Sequence, residues 1–100
     1  MPETADEWIA DLESHGYTRL DEWKGMRAGA RVRHIGQRYA EASDRGTANV
    51  VAILRNSGSS WERDYESPDV EIVVERDKAG PTTWANYHTV LVEIQEPIQA

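Results

Sequence analysis

Few side chains in this chain are arranged for chemistry. His15, His34 and His88 are not accompanied by an H-x-x-x-H pair or by carboxylates at ligand spacing, so no zinc site is expected. His88 with a serine or aspartate partner comes nearest to a general base, but no nucleophile stands in a G-x-S-x-G elbow or another activating context. Gly25-x-x-x-Gly29 lacks the G-K-[ST] ending that cradles phosphate, and its glycines read as turns. The chain has no cysteine, hence no disulfide framework and no thiolate ligand. A non-catalytic protein without metal or cofactor is the expectation. His15 then reads as a helix-end cation, and His34 and His88 as strand residues with local hydrogen bonds.

Two other groups could do work by binding. Four Trp and four Tyr with no Phe is a choice for rings that keep a polar handle where a surface is partly wet. Trp61 and Tyr65 flank Glu62, Arg63 and Asp64, while Trp84 and Tyr87 lie near the last turn. A groove of Trp61, Tyr65, Trp84 and Tyr87 edged by Glu62, Asp64 and Glu66 would suit an Arg- or Lys-bearing peptide. The plainer alternative is that these rings cap a thin core. The second group is basic. Arg31 and Arg33 share a strand face, and Arg27 and Arg38 could extend it as a phosphate-tracking, anion-binding patch. Its alternative is internal pairing, with Glu71 and Glu75 opposite the arginines across a sheet.

Charge bears on that choice. Net charge is −7, which argues against broad nucleic-acid binding. Residues 1–24 carry −5, residues 25–55 carry +4 through six arginines, and residues 56–100 carry −6. A basic middle between acidic flanks favours pairing inside one folded unit.

Local patterns outline the elements that must position these groups. Thr4 and Glu7 fit a capping box, and Ala5, Trp8, Ile9 and Leu12 form one apolar stripe, predicting a helix over 4–15 stopped by Gly16. So short a helix must pack its stripe on something, either the rest of the domain or a neighbouring chain. Tyr17 to Trp23 reads as a connector whose Tyr17, Leu20 and Trp23 could plug one open end of a barrel. Strands are expected over 30–35, 47–55, 70–74, 82–85 and 88–94. Consecutive Val50, Val51, Ile53 and Leu54 suggest a strand buried on both faces. Val70, Ile72 and Val74 alternate with Glu71, Val73 and Glu75, as in a half-buried strand. Asn56 to Ser60 reads as a loop, and Trp61 to Pro68 as a charged excursion bearing aromatics.

One helix and five short strands make a mainly β single domain over 1–100. "G-x-R-V" entering the first strand, "G-T" entering the second, and an alternating strand ending in "E-R-D" resemble small SH3-like barrels of the Tudor and KOW type. That resemblance implies a five-stranded SH3-like barrel over 25–96 with an N-terminal α-helix, and loops that bind peptides or cations. In its Arg-, Asp-, Trp- and Ala-rich composition the chain also resembles uncharacterised small proteins of actinobacteria and their bacteriophages, which brings no assigned activity.

The leading expectation is therefore a protein-interaction module with an aromatic, acidic working surface. The alternatives are a nucleic-acid-associated accessory using the arginine face, a phage connector subunit docked or oligomerised through its N-terminal helix, and an acidic nucleic-acid mimic that inhibits a host enzyme. No apolar run approaches the roughly 18 residues of a membrane span, so no membrane partner is expected. The acidic start MPETADEW lacks the apolar segment of a secretory signal, making a cytoplasmic location the expectation.

Overall fold

The computed structural model describes residues 3–34, 46–77, 80–85 and 92–94. Helix α1 spans Ala5–Ser14. Its start is the expected capping box: Glu7 N–H donates to Thr4 Oγ1 at 3.1 Å, and Glu7 Oε1 accepts from the Thr4 N–H at 3.1 Å. Past its end, Gly16 takes φ +96°, and Tyr17 N–H returns to the Leu12 carbonyl at 3.1 Å.

Six strands follow: β1 (Thr18–Leu20), β2 (Arg31–His34), β3 (Gly46–Arg55), β4 (Val70–Arg76), β5 (Gly80–Ala85) and β6 (Val92–Ile94). A second helix, α2 (Ser60–Tyr65), interrupts the β3–β4 connection where the sequence suggests only an excursion. The antiparallel order is β5-β4-β3-β2-β6, and β1 adds to β3 off that path. β2 to β5 thus form a meander, and β6 returns beside β2. Among the described residues no ladder joins β5 to β6, and the sheet they form is open. Residues 35 and 88–91 of two expected strands lie outside the described residues.

β1 falls within the expected connector. Three residues are too few to show a period, and the strand exists because β3 offers it a ladder, with Thr18 opposite Arg55 and Leu20 opposite Ile53. β3 is the spine of the sheet. Its first half pairs with β2, its last three residues with β1, and β4 runs along its other edge. A register shift between Val50 and Ala52 marks a β-bulge at Val51.

Each sheet face has its own core. Val32, Ala48, Val50, Ile53, Val70, Ile72, Val74 and Trp84 cluster on one face with Met26, and Leu20, Trp23 and Ala30 pack against them. Leu20 and Trp23 are half-buried against this core. Tyr17 packs instead on the other face, where Ala52, Leu54 and Val73 meet Ala5, Ile9 and Leu12 of α1. The apolar stripe of α1 packs on the molecule's own sheet, with Ala5, Ile9 and Leu12 buried and Trp8 half-buried. Val73, expected to look outward with Glu71 and Glu75, is buried beneath this helix.

Candidate functional site

The chain between β3 and β4 is built from polar anchors. Asn56 N–H donates to the Asp69 carbonyl at 3.0 Å and closes the base of the excursion. The Asn56 side chain accepts from Gly58 N–H at 3.2 Å and donates to the His15 carbonyl at 3.1 Å, tying the turn to the end of α1. Ser59 then caps α2, its Oγ accepting from Glu62 N–H at 3.2 Å.

Glu62 fastens the helix to the sheet. Its carboxylate accepts from Arg55 Nε at 2.8 Å and Nη2 at 3.0 Å, and Oε2 also accepts from Asp69 N–H at 2.9 Å. The Arg55 guanidinium first, and the Asp69 N–H second, pull the Glu62 carboxyl down to about 2.

None of the six residues of α2 is buried. Trp61 and Tyr65, four apart on one helix face, are the exposed large apolar side chains of the described residues, 40% and 67% accessible. Their ring centroids lie 4.6 Å apart at an interplanar angle of 41°. Asp64 is exposed next to them, joined to Arg63 by a solvent-facing ion pair of 3.4 Å. The expected four-ring groove is therefore not assembled here. Trp84 is only 2% accessible, because it stands opposite Ile72 and faces the core of the sheet. Glu62 is a tether rather than a free rim carboxylate. Tyr87 lies outside the described residues.

The arginines are also sorted by the sheet. Arg31 donates through Nη1 to Asp77 Oδ1 at 2.7 Å and to Asn49 Oδ1 at 3.2 Å, and through Nη2 to Asp77 Oδ2. Its acidic partner is thus Asp77, not Glu71 or Glu75. Arg31 lies opposite Asn49, which stands between it and Glu75 on β4, while Glu71 lies opposite Leu54 toward the far end of β3. Asp77 is brought back by its own N–H, which donates to the Thr47 carbonyl at 3.1 Å. Arg33 is exposed and forms no ion pair among the described residues, and neither does Arg27. Arg38 lies outside them.

Arg27 instead lines a cavity of about 520 Å³ with Arg19, Asp21 and the bulged stretch of β3. Arg19 and Asp21 carry no sequence signal for a site, because only the pairing of β1 with β3 brings them near Arg27.

No protein-family model, curated protein or solved structure matches the chain. The site has to be read from its own geometry.

Tyr17, Asp69, Glu71 and Thr83 form a half-buried polar group. Tyr17 Oη donates to Asp69 Oδ1 at 2.8 Å. Burial pushes the Tyr17 hydroxyl up, and the Asp69 carboxylate adds to the effect. Burial likewise raises Glu71, against a hydrogen bond from Thr83. His15 Nδ1 lies 2.7 Å from the Asp11 carbonyl, a local end-of-helix contact. The side chains of His34 and His88 lie outside the described residues. Among the described residues no three His, Asp or Glu side chains converge as metal ligands, and no helix is long and apolar enough to cross a membrane.

Proposed function

We propose that this protein is a non-catalytic interaction module that binds a basic segment of a partner protein through Trp61 and Tyr65. The observation that carries the reading is the combination of an exposed aromatic pair with a helix anchored through Glu62. Large rings left in water cost free energy that a surface without a partner has little reason to accept, and Trp and Tyr are the side chains that most often dominate interfaces. Residues 56–77 add seven acids against two bases, which favours a partner rich in Arg or Lys. The same reading takes residues 25–96 as an SH3-like barrel. The four-stranded β2–β5 meander, with β6 returning beside β2, supports it.

Selection from a random peptide library against the purified protein tests this function. Enriched peptides are expected to be rich in Arg and Lys. Their binding should weaken roughly tenfold or more in Trp61→Ala, with smaller losses in raised salt. Enrichment of acidic peptides, or unchanged affinity in Trp61→Ala, would overturn it.

A further inference from the structure

β3 has a gap on the edge that carries β1 and β2. The β1 ladder covers Ile53 to Arg55, and the β2 ladder covers Gly46 to Asn49. Val50 bonds to the segment ahead of β2, its carbonyl accepting from Gly29 N–H at 2.7 Å and its N–H donating to the Ala30 carbonyl at 2.9 Å. Between these contacts lie Val51 and Ala52, at the bulge. The chain from β1 to β2 bows away through a tight hairpin, in which Lys24 and Gly25 both take positive φ and Trp23 and Met26 exchange two backbone hydrogen bonds. It returns at Arg27. The space left open is the cavity of about 520 Å³, with Val51, Ala52 and Ile53 on its wall and Arg19, Asp21 and Arg27 around it. That volume falls within the range of small-molecule sites.

The charges around it run against the composition of the chain. Acids outnumber bases by 18 to 11, yet the lining here holds two arginines and one aspartate. Arg27 makes no ion pair among the described residues. Among the described residues Arg19 pairs with Glu13, at 3.3 Å, with both side chains largely in solvent. An exposed pair of that kind contributes little and exchanges readily onto a better acceptor. We propose that this cavity binds a small organic phosphate, the phosphate between Arg19 and Arg27 and a hydroxylated body toward Asp21 and the apolar wall.

The chemistry selects that class. A carboxylate is satisfied by one guanidinium, whereas the oxygens of a phosphate monoester accept from two at once. The cavity is several times larger than a phosphate, so the ligand carries a body. Asp21 accepts from a hydroxyl, and the half-buried Leu20 and Val51 offer apolar contact. A sugar phosphate and a nucleoside monophosphate share these features.

Calorimetric titration with AMP, ribose 5-phosphate, adenosine and inorganic phosphate tests the site, with amide shifts mapping it. Saturable binding of AMP or ribose 5-phosphate is expected, with shifts at Val51 and Ala52, and weaker binding of adenosine and inorganic phosphate. Arg27→Gln should weaken binding about tenfold or more with an unchanged unfolding midpoint. Arg33→Gln removes an exposed guanidinium that does not line the cavity and should leave affinity unchanged. Adenosine binding as well as AMP, equal losses in the two arginine variants, or no saturation by either organic phosphate would overturn the proposal.

Discussion

Val50 and Ala52 lie two residues apart in one strand and face opposite sides of the sheet. Val50 belongs to the core with Trp84 and Ile72, and Ala52 belongs to the core under α1. In a regular strand, residues i and i+2 share a face. The bulge at Val51 adds one residue and reverses the alternation, so Ile53 rejoins Val50 while Leu54 joins Ala52. One inserted residue thus lets β3 serve both cores and leaves the gap that forms the cavity.

Deleting Val51 should therefore be far worse than shortening its side chain. Restored alternation would swap the faces of everything on one side of the deletion, pairing Ile53 with the helix and Leu54 with the other core. The expected loss is on the order of 3 kcal/mol or more, read by denaturant unfolding. A deletion variant within about 1 kcal/mol of the parent would mean the bulge is not what assigns these faces.

The two tryptophans of the expected groove should behave oppositely. Trp84→Ala empties a fully packed site and is expected to cost about 3–5 kcal/mol. Trp61→Ala removes an exposed ring and should stay within about 0.5 kcal/mol. Thermal or denaturant unfolding distinguishes them, and equal losses would contradict the burial assigned to either ring.

Glu71 should be a liability at neutral pH. Burial favours its neutral acid, so the folded chain holds this proton more tightly than the unfolded chain, and Asp69 pushes the same way. The resulting stabilisation is full below the ordinary carboxyl value of 4.5 and is lost as pH rises through the raised value. Glu71→Gln is expected to raise the unfolding midpoint at pH 7, with the gain shrinking below pH 4.5. A lowered midpoint at neutral pH would show that the hydrogen bond with Thr83 outweighs burial.

The tether of α2 should resist acid. Glu62 is depressed, so its contribution is present above the ordinary 4.5 and fades only as pH falls through about 2. Since Glu62 accepts from the Asp69 N–H, that amide proton shift reports the transition. A midpoint near 2 is expected, moving upward in Arg55→Gln. A midpoint near 4.5 in the parent would place Glu62 free in solvent.

The local grammar of the chain was legible in its sequence. The Thr4–Glu7 box, the Gly16 stop, the Ile72 register and the double-sided burial of β3 depend on residues a few positions apart, so caps and periods reveal them. Tertiary structure decided the rest, because it depends on which strand lies beside which. β1 exists only as a partner of β3, and Val73 is buried only because α1 crosses that face. Arg31 meets Asp77 through a register that no spacing displays, and Arg19 and Arg27 line one gap beside a single bulge. Trp61 and Trp84 look alike as residue types beside turns. Backbone pairing put one in water on α2 and the other in the core opposite Ile72, since a strand's alternation fixes which side chains face inward only after its neighbour has fixed the register.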